Sequence, residues 1–112
     1  MKLTKIRSWI ERWSCYRPAT RTMPCRVRVG LVGEVQGVGL RWRLSAYARQ
    51  HGLGGWIMNR PDGTVVAEIE GDEPPVRAAA KWLAAGAGVT RVDQSKVEEV
   101  PLMNETTFQI LR

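Results

Sequence analysis

The sequence predicts an α+β fold in which two helices cover one face of an antiparallel β-sheet. Residues 26–32 alternate apolar and polar side chains, which is the period of a half-buried strand. Residues 40–51 repeat apolar side chains every three to four positions, which is the period of an amphipathic helix. The same change of period recurs in the second half of the chain, after a strand-like run at residues 64–70.

The first half of the chain supplies a strand, a helix and a second strand. The first strand places Val27, Val29 and Leu31 on one side and polar residues or glycine on the other. The helix over residues 40–51 is followed by Gly52, a residue type that commonly ends helices. Residues 54–59 form the second strand, and a Pro-Asp-Gly turn then leads into the third strand, residues 64–70.

The second half supplies another helix and two more strands. Asp72 is expected to cap this helix, which carries two prolines in its first turn. Its inner face consists of four apolar residues, namely Val76, Ala79, Ala80 and Leu83. Residues 90–100 and 107–112 are predicted to form a fourth strand and a short edge strand. The order βαββαβ is that of a ferredoxin-like two-layer sandwich, with both helices on one face of an antiparallel sheet.

The turn between the first strand and the first helix has the composition of an anion-binding loop. Glycine stands at positions 33, 37 and 39, which lets backbone N–H groups converge at the N-terminus of a helix. Arg41 can reach over the same concavity and bind two phosphate oxygens at once. From the glycines alone, an ordinary turn beside a solvated arginine is the simpler interpretation, because no Gly-Lys-Ser/Thr follows and the third glycine of a dinucleotide-binding loop is missing.

Two longer stretches favour the functional interpretation. Residues 33–41 (GEVQGVGLR) resemble the signature loop of the acylphosphatases, small enzymes that hydrolyse carboxyl-phosphate mixed anhydrides. Residues 55–65 (GWIMNRPDGTV) resemble the second motif of that family. The resemblance covers residues 26–112 and implies a ferredoxin-like fold with the core strands in spatial order 4-1-3-2. Leu40 departs from the family pattern, in which phenylalanine usually precedes the arginine.

The resemblance also implies roles for individual residues. Arg41 and Asn59 would be the catalytic residues, Arg41 by holding the phosphate and Asn59 by orienting the attacking water. The phosphate-binding residues would be Val35, Gln36, Gly37, Val38, Gly39, Leu40 and Arg41. Spacing alone would make Asn59 only the start of a turn. We expect the Gln36 side chain either to pack or to brace the loop, and Thr64 to brace Asn59. An acyl phosphate has a good leaving group, so positioned donors and water need no metal or other cofactor.

Charge is distributed unevenly along the chain. The net charge is +6, of which residues 1–24 contribute +5 and residues 25–112 only +1. Within the core, residues 25–62 carry six basic and two acidic side chains, whereas residues 63–112 carry five and eight. The glycine loop therefore lies in a basic half of a nearly neutral core, which suits a small anion better than a nucleic acid.

Residues 1–24 are predicted to be a basic N-terminal extension, separate from the domain formed by residues 25–112. Charged residues interrupt its apolar stretch, so it is neither a transmembrane span nor a secretory signal. An arginine-rich amphipathic start is also compatible with a transit peptide or a membrane-surface helix. We favour a third interpretation, in which the segment is dispensable sequence ahead of a natural start at Met23.

The remaining residue types favour a cytoplasmic enzyme. Cys15 and Cys25 are too few for a disulfide framework, and we expect free thiols in a reducing compartment. The single histidine, His51, is expected to stabilise the end of its helix, and no metal-ligand spacing occurs. We expect a monomer that acts on a small acyl phosphate, with no nucleic-acid partner and no membrane contact through the core.

Two alternatives share parts of this pattern. One is a non-catalytic acylphosphatase-like anion-binding module, of the kind found in carbamoyl-transferring hydrogenase maturation proteins. That module has the same loop, but the zinc-binding segments that accompany it are not found in this sequence. The other is an RNA-recognition module, which has the same fold but needs aromatic residues on its central strands. The predicted third strand has none.

Overall fold

The computed structural model describes residues 23–37 and 39–111. They form, in chain order, β1 (Pro24–Glu34), α1 (Leu40–His51), β2 (Gly54–Asn59), β3 (Val65–Asp72), α2 (Glu73–Ala84), β4 (Arg91–Val100) and β5 (Phe108–Leu111). The predicted βαββαβ order with an edge strand is confirmed, and boundaries shift by at most two residues. The predicted extension, apart from Met23 and Pro24, and the loop residue Val38 lie outside the described residues.

The five strands form one sheet in the order β4-β1-β3-β2-β5. The four core strands have the predicted spatial order and pair antiparallel. β5 differs, because it pairs parallel with β2 and makes the sheet mixed rather than wholly antiparallel. β4 ends beside the start of β1, and residues 101–107 then cross to the start of β2. A strand that begins at that end of the sheet must run in the direction of β2.

The core lies between the two helices and one face of the sheet. The residues predicted for that face of β1, which are Val27, Val29 and Leu31, are each at most 1% exposed. The predicted inner face of α2 is confirmed, because Val76, Ala79, Ala80 and Leu83 are buried too. Each large apolar side chain buried in this way contributes roughly 1.5–3 kcal/mol. These contacts fix both helices on the same face of the sheet.

The opposite face of the sheet holds a buried ion cluster centred on Arg26. The Arg26 guanidinium is only 1% exposed. Its Nε donates to Glu68 at 2.7 Å and its Nη1 donates to Glu70 at 2.7 Å. Burial raises the pKa of both glutamates, but hydrogen bonds led by those from Arg26 outweigh burial and hold each pKa below its usual value.

The cluster also holds the crossing segment that leads to β5. The backbone N–H groups of Met103, Asn104 and Glu105 donate to the Glu70 carboxylate at 3.1, 2.9 and 3.3 Å. The Glu105 carboxylate lies 2.9 Å from Arg26 Nη1. Removing one partner from such a buried ion pair typically costs about 3–5 kcal/mol. The cluster therefore stabilises both the pairing of β1 with β3 and the path of the chain into β5.

The start of α2 corrects one prediction. Asp72 occupies the N-cap position, but its side chain makes no capping hydrogen bond. A capping side chain accepts from the second or third helical N–H, and here those positions are Pro74 and Pro75, which have no N–H. The first N–H, that of Glu73, donates instead to the carbonyl of Met23 at 2.9 Å. The ordered domain therefore includes Met23 and Pro24.

We propose that residues 1–22 are dispensable for folding, because β1 and its contact with α2 are complete from Met23 onward. A chain that starts at Met23 should keep the melting temperature of the full chain within about 2 °C. The control is a chain that starts at Cys25, which loses the carbonyl that accepts from Glu73. One lost hydrogen bond of ~1 kcal/mol should lower its melting temperature by about 4–8 °C. A comparable loss in the chain starting at Met23 would show that the extension packs on the domain.

Candidate functional site

The loop follows an irregularity at Gly33, near the end of β1. The pairing of β1 with β4 shifts its register between Val32 and Gly33, as at a β-bulge. Gly33 has a φ of 142°, and a Cβ at this position would lie 2.5 Å from the carbonyl oxygen of Arg91. Only glycine fits so close to the backbone of β4. Two residues later, Val35 is 1% exposed and anchors the loop in the core.

The loop ends at the N-terminus of α1, which is uncapped. Gly39 occupies the N-cap position with a left-handed φ of 81°, and no side chain caps the helix. The first turn contains no acidic residue. Its N–H groups and the positive end of the helix dipole are therefore not neutralised by a carboxylate within that turn. Leu40, in the place of the family's phenylalanine, is 2% exposed and anchors this turn.

Asn59 is the last residue of β2 and lies in the same row of the sheet as Leu31, near the end of β1. It pairs with Val65 of β3, which in turn pairs with Leu31 of β1. Two inter-strand spacings put the backbones of Asn59 and Leu31 about 10 Å apart. Because side chains alternate along a strand, Asn59 shares the helix-covered face with the buried Ile57. It therefore lies on the face of the sheet from which the loop enters α1.

The side-chain oxygen of Asn59 is an unsatisfied acceptor. Oδ1 is buried and has no hydrogen-bond partner within the part of the chain that the structure describes. A buried polar atom left in this way costs about 1–3 kcal/mol unless a water or ligand satisfies it. An amide oxygen accepts hydrogen bonds, so a water molecule is a suitable partner for it.

The Gln36 side chain joins the loop to the turn that follows Asn59. Its Nε2 donates to the carbonyl oxygens of Arg60 and Thr64 at 2.8 and 2.9 Å. The turn itself is closed by a hydrogen bond from the Arg60 N–H to the Thr64 carbonyl at 2.8 Å. Of the two roles predicted for the Gln36 side chain, bracing is confirmed. It is made through backbone carbonyls, so the loop and the end of β2 keep a fixed relation.

The role predicted for Thr64 is different from the observed one. Its hydroxyl donates to Asp62 Oδ1 at 2.6 Å, and its backbone N–H donates to the same oxygen at 3.0 Å. These hydrogen bonds from Thr64 are the main reason that the pKa of Asp62 lies below its usual value. Thr64 therefore braces the turn rather than Asn59, because the carboxylate two residues before it is the nearer acceptor.

Arg41 and Asn59 are brought to the same end of the helix-covered face. Arg41 is the second residue of α1, directly after the loop, and is half-buried. Of the predicted phosphate-binding residues, 35–37 and 39–41 lie in or next to this loop, and Val38 is outside the described residues. The arrangement combines an arginine, an uncapped helix N-terminus and an unsatisfied amide oxygen. Such a set can bind a phosphoryl group and hold a water molecule beside it.

Other reactive side chains lie away from this arrangement. Cys25 is a free, buried thiol whose pKa is raised to about 12, first by burial and then by Glu73 and other carboxylates. His51 is the last residue of α1, and its Nδ1 lies 2.9 Å from the Tyr47 carbonyl. This contact at the helix end agrees with the role predicted for His51.

Across residues 23–37 and 39–111, no three His, Cys, Asp or Glu side chains are grouped so that they could hold a metal ion. In the same residues, no helix is long and apolar enough to span a membrane.

Comparison with known proteins gives one consistent result. The sequence profile of the acylphosphatase family matches residues 27–110. An acylphosphatase of Thermococcus kodakarensis is 45% identical over 73 residues, which are 65% of this chain and 80% of that protein. The crystal structure of acylphosphatase from Bacillus subtilis superposes with a TM-score of 0.71 at 29% identity, covering 80% of this chain and 100% of that one.

A full-length HypF in its phosphate- and nucleotide-bound form also superposes, with a TM-score of 0.73. The identity is 24%, and the match covers 85% of this chain but only 13% of HypF. Likeness at that level of identity shows the fold alone, so it does not favour the alternative of a non-catalytic module. The extent of the family match and the identity to its curated relatives lead to one conclusion. This chain belongs to the acylphosphatase family.

Proposed function

We propose that this protein is an acylphosphatase, which hydrolyses the carboxyl-phosphate bond of an acyl phosphate to a carboxylate and inorganic phosphate. We further propose that it works without a metal, as a cytoplasmic monomer. The observation that supports the reaction most strongly is the buried, unsatisfied Oδ1 of Asn59 at the end of the sheet where the uncapped helix N-terminus lies. The amide oxygen would accept a hydrogen bond from water, and the helix N-terminus at the same end of the sheet would donate to phosphate.

The phosphate would be held by the loop and Arg41. The backbone N–H groups of the loop would donate to the phosphoryl oxygens, and the guanidinium would add two parallel hydrogen bonds. These donors come from a backbone anchored by Val35 and Leu40, which are both buried. Because they are fixed before the substrate binds, they stabilise the charge that develops on the phosphoryl oxygens with little reorganisation.

Asn59 would position the attacking water. Its Oδ1 accepts a hydrogen bond from the water, and its NH₂ group can donate to a phosphoryl oxygen. The water oxygen forms a bond to phosphorus while the bond from phosphorus to the acyl oxygen breaks. The acyl oxygen leaves as part of a carboxylate, and the water proton passes to a phosphoryl oxygen. A carboxylate is a weak base, so the step requires no separate acid.

The Gln36 side chain would keep the two parts of the site aligned. Phosphate donors lie on the loop and the water acceptor lies on β2, so the reaction needs a fixed distance between them. The two hydrogen bonds from Gln36 Nε2 connect these parts directly. A displacement of about 1 Å in such a site can lower the rate about 10²-fold.

An assay with benzoyl phosphate tests the proposed reaction. The purified full-length protein should release benzoate and inorganic phosphate at the same rate in the presence and absence of EDTA. The Arg41→Ala variant, purified in the same way, controls for contaminating phosphatases and should be inactive. Absence of hydrolysis would contradict the proposed function. Loss of activity in EDTA, restored by a divalent ion, would contradict the metal-free mechanism alone.

The Arg41→Lys variant tests the two-point contact with phosphate. Lysine keeps the positive charge but cannot donate two parallel hydrogen bonds from a planar group. We expect kcat/KM to fall about 10²-fold or more, a loss of the size seen when one preorganised donor is removed. Arg43→Lys is the matched control, since Arg43 is exposed in the same turn, and it should stay within about twofold. If Arg41→Lys kept near-normal kcat/KM, the guanidinium would act only as a charge.

A further inference from the structure

Trp42 is an exception among the aromatic residues that the structure describes. It is 70% exposed. The others in residues 23–37 and 39–111 are half-buried or buried, namely Tyr47, Trp56, Trp82 and Phe108. Trp42 directly follows Arg41 in the first turn of α1. A large apolar side chain that is mostly exposed in the described part of the chain, at the edge of a candidate binding site, is a candidate for contact with a ligand.

The helix geometry directs Trp42 toward the mouth of the loop. Leu40 and Leu44 are buried and mark the inner side of α1. Trp42 lies two residues after Leu40, about 200° around the helix, and so points outward. Side chains on a helix also lean back toward its N-terminus. This geometry directs the indole toward the N-terminal turn of α1, on the outer side of the loop.

The proposed chemistry places the acyl group on the same outer side. The phosphoryl group is held by the loop, and the water is held by Asn59, whose Oδ1 is buried toward the sheet. Attack at phosphorus is in line, so the leaving acyl oxygen lies opposite the water. The acyl group must therefore extend away from Asn59 and out of the concavity, where the first turn of α1 begins.

We infer that Trp42 contacts the acyl group and makes the enzyme selective for acyl phosphates whose acyl group is planar and apolar. The inference rests on the proposed function and adds a substrate class to it. An aromatic acyl group such as benzoyl can stack on the indole, whereas an acetyl group is too small to cover it. Trp42 is then a specificity-determining residue that contributes little to the binding of the phosphate.

A second concavity offers another place for an apolar group and supplies a control. It has a volume of about 220 Å³ and lies on the other face of the sheet, over Gly30 and beside Val32 and Val66. Val32 is 43% exposed there. This cavity lies behind the turn of residues 60–64, on the far side of the sheet from α1, so the leaving group does not face it. Val32→Ala thus removes an exposed apolar side chain near the loop but outside the proposed acyl contact.

The test compares two substrates, benzoyl phosphate and acetyl phosphate. The kcat/KM for each, the inhibition constant of inorganic phosphate and the melting temperature are measured for the wild type, Trp42→Ala, Trp42→Phe and Val32→Ala. Trp42→Ala should lower kcat/KM about tenfold for benzoyl phosphate, equivalent to about 1.4 kcal/mol, and less than twofold for acetyl phosphate. Phosphate inhibition should not change, Trp42→Phe should retain most of the benzoyl preference, and Val32→Ala should behave as the wild type.

Three results would overturn the inference. Equal effects of Trp42→Ala on both substrates, or no effect on either, would mean that the indole does not contact the acyl group. A loss confined to benzoyl phosphate in Val32→Ala would place the acyl group in the other cavity. In these cases hydrolysis of acetyl phosphate by the wild type still supports the proposed function. Failure of the wild type to hydrolyse either substrate would reject the proposed function and this inference together.

Discussion

One side-chain amide, that of Gln36, connects the two parts of the site. Its NH₂ group donates both of its hydrogens to carbonyls at the two ends of the turn of residues 60–64. The loop before α1 and the turn after β2 come from segments more than twenty residues apart in the sequence. Without this contact they would be joined only through the sheet and the core. In the proposed mechanism, the alignment of the phosphate donors with the water acceptor thus depends on a side chain that contacts neither the substrate nor the water.

The register of the central strands positions the two segments that Gln36 joins. β3 lies between β1 and β2, and its pairing sets which residues of those strands stand in one row. On one face, apolar residues fix the register by their burial. On the other face, Arg26 pairs across the strands with Glu68 and Glu70. A slip of one residue would exchange the two faces, so the apolar residues and the ion cluster act together against it. This register places Asn59 level with the end of β1.

Much of this fold follows from local signals in the sequence. Helix α1 has the predicted bounds because glycines at positions 39 and 52 adopt left-handed conformations at its two ends. One local contact was predicted wrongly. The side chain of Asp72 makes no cap because the neighbouring prolines remove the donors that it would accept from. The ion cluster could have been predicted, since basic residues alternate on β1 and acidic residues alternate on β3, which are neighbours in the predicted strand order.

The contacts of the site were harder to predict from the sequence than the helices and strands. Gln36 was predicted to pack or to brace the loop, but its partners are backbone carbonyls, which no sequence motif identifies. The resemblance to a family identified Asn59, and spacing alone did not. The helical period of residues 40–51 puts Trp42 on the outer side of α1, but no motif in the sequence marks it as a contact for a ligand.

The central claim is a division of labour, in which the loop and Arg41 hold the phosphate while Asn59 positions the water. The most direct test compares kcat for an acyl phosphate with the inhibition constant of inorganic phosphate in the Asn59→Ala variant. Water positioning matters only on the way to the transition state, so kcat should fall about 10²-fold or more. The inhibition constant of phosphate should stay within about threefold of the wild type. Equal losses in both quantities would contradict the claim and would make Asn59 a phosphate ligand or a structural residue of the turn.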